Sequence, residues 1–214
     1  MRNAQCAMPK LSSVLDGIPK LSALPGDLND TKNWGFTVYR TYYGPSNDEN
    51  WDKLLTTAKR EAMEEAMKWS DDESGEKLKP LFRLDARSDA SLLSGVDRRG
   101  LIQMYNNGVG GPPMPTRGPR VFLYTDEDIL NQVSQGTFNL KAVDAEEEPR
   151  EDIPPEEGDE FFGQPRYWGC MKIETRQVLE LLGGLEWSHT ECVIMWTENQ
   201  ADLDEQVWDG WDAD

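Results

Sequence analysis

WGFTVYRTYYGP, residues 34–45, is the stretch whose reading decides the fold. It is dense in aromatic and β-branched residues, which suit a pleated surface. Alternation puts Trp34, Phe36, Val38, Arg40 and Tyr42 on one face and Thr37, Tyr39, Thr41 and Tyr43 on the other. Large side chains on both faces predict a central strand covered from both sides. Gly44-Pro45 ends it, because proline cannot donate to a strand ladder.

Working outward, Ser46-Asn47-Asp48 reads as a helix start. Trp51, Leu54, Leu55, Ala58, Ala62, Met63, Ala66 and Met67 then recur at helical spacing, so residues 50–69 form an amphipathic helix. LKPLFRLDAR (78–87) reads as a strand, 96–106 as a short helix and NGVGGPPMPTRGP (107–119) as a Gly/Pro loop. RVFLYT (120–125) is a strand, and Asp126-Glu127 open a helix through Val133. Strands follow at 138–144 and 167–174. Thr175 caps a helix through Leu182 that Gly183-Gly184 closes, and Cys192–Thr197 is the last strand. This order predicts the α+β class, an α/β sandwich, with a ferredoxin-like antiparallel sheet packed by short helices as the finer expectation.

The charge sets the domain plan. The chain has 214 residues and a formal net charge of −18, the wrong sign for a general nucleic-acid binder. Residues 144–160 hold ten acids and one base, and residues 198–214 hold seven acids and no base, so these two segments carry −16 of the total. The body is close to neutral. The plan is therefore an extended arm at 1–33, one globular domain at 34–197 containing a mobile acidic segment at 144–160, and an acidic tail at 198–214. Trp208 and Trp211 lie in that tail, where bulky rings are costly to leave wet, so they dock on this protein or on a partner. No run approaches the ~18 apolar residues of a membrane span. Three cysteines, an odd and sparse count without a secretory signal, predict a reducing, cytoplasmic setting. Cys170 and Cys192 read as buried small hydrophobes in strands.

Motifs of known chemistry are missing. GVGG at 108–111 is followed by two prolines, which forbid a helix start with free N–H donors, so it is no phosphate loop. One histidine, His189, rules out a histidine-rich metal site and reads as a loop residue. No cofactor and no metal are expected. What remains is a set of charges placed mid-strand among apolar neighbours: Arg40, Arg83, Asp85, Arg87 and Lys172. Such charges are costly unless paired, so they form internal ion pairs, such as Arg83 or Arg87 with Asp85 or Glu174, or the polar floor of a pocket. On the second reading Arg40, Tyr39, Arg83 and Asp85 are the catalytic candidates, with an Arg or Tyr polarising a carbonyl. Trp34, Tyr43, Phe82, Tyr124, Trp168, Lys172 and Trp196 are the substrate-binding candidates.

The run Trp34-Gly35-Phe36-Thr37-Val38-Tyr39-Arg40 with Trp51-Asp52-Lys53-Leu54, together with Arg120–Glu127, Lys141–Ala145 and Tyr167–Ile173, resembles a group of uncharacterised filamentous-fungal proteins that open with Trp-Gly-Phe-x-Val/Ile-Tyr-Arg. The resemblance spans roughly residues 34–197 and has no counterpart in the arm or the tail. It implies an origin and a context, fungal natural-product metabolism, and no particular chemistry.

Two functions follow as expectations. One is a cofactor-independent enzyme, a cyclase or isomerase of Diels–Alder type, whose partner is a small hydrophobic organic molecule held in a pocket of a few hundred Å3. The other is an acidic protein–protein interaction module without catalysis, working through the tail. A homodimer is a further expectation, and neither nucleic acid nor a membrane span is expected.

Overall fold

The aromatic strand runs from Trp34 to Arg40 (β1), and all seven of its residues are buried. The computed structural model describes residues 33–45, 47–69, 79–114, 120–147 and 164–210. The expectations for the arm, for most of the 144–160 segment and for Trp211 lie outside these residues.

β1 lies between β2 (Phe82–Arg87) and β3 (Val121–Thr125), parallel to both. β3 pairs antiparallel with β4 (Asn139–Asp144), and β4 antiparallel with the strand Cys170–Glu174. Ahead of that strand comes a short one, β5 (Arg166–Tyr167), so Cys170–Glu174 is β6. β5 pairs with β7 (Trp196–Thr197) in a separate two-stranded sheet. β8 (Val207–Trp208) runs parallel to β6, and the main sheet has the order β2-β1-β3-β4-β6-β8.

The α+β class stands. The ferredoxin-like antiparallel sheet does not describe this strand order, because β2–β1, β1–β3 and β6–β8 are parallel pairs. Parallel neighbours need a long crossover. Helix α1 (Asn47–Trp69) supplies the one from β1 to β2. Periodicity finds such a helix but does not say on which side its chain returns.

Alternation along the strands builds two cores. Trp34, Phe36, Val38, Val121, Leu123, Leu140, Ala142, Met171 and Ile173 face one side. There α1 lays down Trp51, Leu54, Ala58, Ala62 and Ala66, three of them small enough to bring the helix close to the sheet. Helix α4 (Glu127–Val133) and helix α5 (Val178–Trp187) complete that layer. Tyr39, Phe122, Val143 and Cys170 face the other side, against helix α2 (Ala90–Leu93), helix α3 (Arg98–Asn106) and Leu203. The strand covered on both faces is thus the centre of a three-layer arrangement.

Four elements differ from the sequence reading. The single strand expected at 167–174 is broken at Trp168-Gly169 into β5 and β6, which belong to different sheets. Gly183 and Gly184 lie inside α5 rather than ending it. Val178, Leu179, Leu181, Leu182 and Leu185 are all buried there, and their burial outweighs the ~1 kcal/mol that each glycine costs a helix. Cys192 is disulfide-bonded and half-buried on a short helix, α6 (Thr190–Val193), rather than a free buried thiol in a strand, and the apolar run is split between that turn and β7. Residues 198–210 are folded: α7 (Asp202–Glu205) packs on β6, and Trp208 on β8 is in the first core. The domain therefore reaches past residue 197. At the other acidic segment, Asp144 closes β4 and accepts a 2.7 Å hydrogen bond from the Tyr167 hydroxyl in the interior.

Gly35 fixes the pairing of β1 with β2. Its φ is +132°, and a Cβ there would stand 1.9 Å from the Arg83 carbonyl oxygen. Gly35→Ala should lower unfolding free energy by about 3 kcal/mol or more, through clash and backbone strain together. Denaturant titration checks this; a change under about 1 kcal/mol would show that the strands separate easily.

Candidate functional site

One row of side chains crosses the second face of the sheet. Register places Tyr124 (β3) opposite Lys141 (β4), Lys141 opposite Lys172 (β6), and Lys172 opposite Val207 (β8). Two lysines directly opposed on a covered face repel each other and are costly to desolvate. The Lys172 residue is 5% exposed, and the Lys141 side chain 12%. Arg98, from the first turn of α3, reaches the same place, and its guanidinium donates to the Trp168 carbonyl at 3.2 Å and to the Cys170 thiol.

These groups line a pocket of about 150 Å3, together with Cys170, Met171, Gln200, Leu203 and Asp204. Asp204 comes from α7. Its carboxylate meets Lys141 Nζ at 2.6 Å, and its main-chain carbonyl accepts from Lys172 Nζ. Asp126 meets the same Lys141 Nζ at 2.7 Å while capping α4 through the Ile129 amide. Both carboxylates therefore sit on Lys141. Among the described residues neither Lys172 nor Arg98 forms an ion pair, and the local balance is three cations against two anions.

Protonation follows from burial and neighbours. Desolvation pushes the Tyr124 phenol well above its ordinary value, more than the Lys141 charge lowers it. Desolvation alone would lower Lys141, but the Tyr124 oxygen and the hydrogen bonds to Asp126 and Asp204 outweigh it and hold the ammonium well above the usual range. Desolvation raises the Cys170 thiol, and Arg98 only partly offsets this. At neutral pH Tyr124 is therefore a phenol, Lys141 an ammonium and Cys170 a neutral thiol, and the N–H groups of Lys172 and Arg98 add further donors to the pocket.

Of the residues singled out in the sequence, Tyr124 and Lys172 line this pocket. Trp168 packs beside it in the second core, its indole donating to the Thr197 carbonyl at 3.1 Å. The four catalytic candidates lie elsewhere. Arg40 is buried at the end of β1, ion-paired with Asp48 at 2.6 Å and bonded to the Tyr42 carbonyl. Tyr39 is buried edge-on against Phe122, and its hydroxyl has no hydrogen-bond partner among the described residues. Asp85 pairs with Arg87 at 2.8 Å, one of the alternative internal ion pairs that the sequence left open. Arg87 in turn clamps the Gly/Pro loop through the Val109, Gly111 and Pro112 carbonyls. Arg83 is exposed on the edge strand β2.

The remaining aromatic candidates are also dispersed. Trp34 and Phe82 pack against each other at a tilt on the α1 side, 4.6 Å between centroids. Tyr43 lies under the Arg40 guanidinium, and Trp196 is half-exposed against Tyr167. His189 is exposed at the start of α6. Sequence reasoning missed Arg98, Lys141 and Asp204. Lys141 met the criterion used for Lys172, a charge flanked by apolar strand residues; its partner across the sheet is what the sequence does not spell out.

No family of known proteins matches the chain, and neither does a curated protein or a solved structure. Among the described residues no helix is long and apolar enough to cross a membrane.

The raised values of Tyr124 and Lys141 make one pH prediction. Each group holds its proton more tightly folded than unfolded. The stabilisation is therefore complete below the unfolded pKa, about 10 for both, and is lost as pH rises. Melting temperature should fall above about pH 10, and Tyr124→Phe should remove part of that fall. Superimposable alkaline limbs for the two proteins would contradict the assignment.

Proposed function

We propose that the chain binds a compact organic monoanion, a carboxylate of about the size of benzoate or smaller, on Tyr124, Lys141, Lys172 and Arg98. The observation that supports this is the charge imbalance: three cations and two carboxylates on a covered sheet face, within a chain whose net charge is −18. A desolvated excess positive charge is stabilised by an anion at the same place. The volume, about 150 Å3, suits a ligand of about six to nine heavy atoms, since a dry cavity of that size accepts benzene. It is below the few hundred Å3 that a larger polycyclic substrate needs, which moves the proposal from a hydrophobic molecule to a small acid.

Cofactor-independent isomerisation or cyclisation remains the chemistry proposed to follow binding. Fixed donors that polarise a carbonyl or carboxylate are what such a step requires. In this proposal Tyr124 and the two lysines supply them, in place of Arg40, Tyr39, Arg83 and Asp85. The resemblance to fungal proteins supplies the proposed context of natural-product metabolism. The interaction-module reading loses part of its motive, because Trp208 is buried on its own sheet.

Calorimetric titration with butyrate and with benzoate tests the proposal. Saturable 1:1 binding is expected, weakened at least tenfold in Lys172→Met, whose side chain keeps the length and loses the charge. No saturable binding, or equal affinity in the variant, would count against it.

A further inference from the structure

Asp204 differs from the other charged groups of the pocket. It is the one that is open to water, its side chain 64% exposed against 12% for the Lys141 it pairs with. It spans both lysines, carboxylate on Lys141 Nζ and main-chain carbonyl on Lys172 Nζ. Lys141 does not depend on it for charge compensation, since Asp126 already holds the same Nζ at 2.7 Å from within the fold. The Asp204 carboxylate thus lines the pocket beside both lysines and faces water.

We infer that Asp204 is the charge-selecting residue of this pocket: it occupies the second anionic position, so the site takes a monoanion and turns away a dianion of the same length. The inference rests on the anion-binding reading given above. With Asp204 ionised the local balance is one positive charge. Its loss leaves two, spread over a row whose neighbouring strands lie about 4.8 Å apart. That spacing suits the two carboxylates of a short-chain diacid. A dicarboxylate entering the unaltered pocket would instead bring its second carboxylate against the Asp204 oxygens, a like-charge contact in a partly desolvated place.

Butyrate and succinate make the comparison, four carbons each, with one and two carboxylates. Asp204→Asn keeps the side-chain shape and the main-chain carbonyl and removes only the charge. At about pH 8, where both succinate carboxyls are ionised, calorimetry on the full chain should show the unaltered protein preferring butyrate. The affinity ratio of succinate to butyrate should rise at least tenfold in Asp204→Asn and stay at its original value in Asp204→Glu. A ratio that moves less than twofold in Asp204→Asn, with butyrate still bound, overturns the inference and leaves the pocket reading standing. Equal losses of both ligands in Asp204→Asn and Asp204→Glu overturn it too, marking Asp204 as a clamp on α7. Absence of saturable binding of either acid by all three proteins overturns the pocket reading and the inference together.

Discussion

Everything else in the structure hangs on the parallel pairing of β1 with a neighbour on each side. β1 has no exposed residue, so its ladder and both its faces are shielded from water. A buried strand can leave no backbone polar group unpaired, and β2 and β3 satisfy its two edges. Gly35 lets the Arg83 carbonyl come closer than any side chain would allow. Once β1 is placed, its alternation dictates the two cores: aromatic and aliphatic groups towards α1 on one side, Tyr39 towards α3 on the other. The sheet then extends through β3 to β4 and β6, and that extension creates the cationic row.

The pocket illustrates how an acidic chain can contain a basic interior. The surface charge and the local charge are separate quantities. Three cations converge because two adjacent strands, β4 and β6, and one helix end each contribute one, and the strand register brings the two lysines into line. Lys141 is fully compensated and rigid, held by Asp126 and Asp204. Lys172 and Arg98 lean on carbonyls and a thiol instead, groups that accept hydrogen bonds but carry no charge. The difference leaves Lys172 and Arg98 as the cations of the row that have no carboxylate partner among the described residues. It also explains why burial alone, which marks Arg40 as strongly as Lys172, does not locate the site: Arg40 has its carboxylate at hand in Asp48.

Much of the fold was legible along the chain and little of it across the chain. β1, α1, α3, β3, α4 and β4 were each marked by local alternation, helical spacing or an Asp cap. The order of strands was not, because a crossover helix looks the same whether its chain returns parallel or antiparallel. Gly183-Gly184 reads as a helix end, yet α5 runs through both glycines because the surrounding buried leucines overcome their cost. The site was half legible. Tyr124 and Lys172 stood out by their flanking residues. Lys141 stood equally close to the same test, yet its meaning comes only from facing Lys172 across a ladder. Asp204 lay in a segment read as solvated tail, since acidity dominated the composition and hid the Leu203 and Trp208 that pin it down.

β8 is two residues long and touches the main sheet only through β6. Short terminal pairings of this kind belong to the low-free-energy end of native fluctuations, while β1 belongs to the opposite end. α7 and β8 form one such unit, and α7 supplies a wall of the pocket. Opening of these last described residues would strip one wall from the pocket and leave the other five strands of the main sheet intact beneath. The amides of residues 202–208 should therefore exchange sooner than those of β1, which report the lifetime of the whole fold.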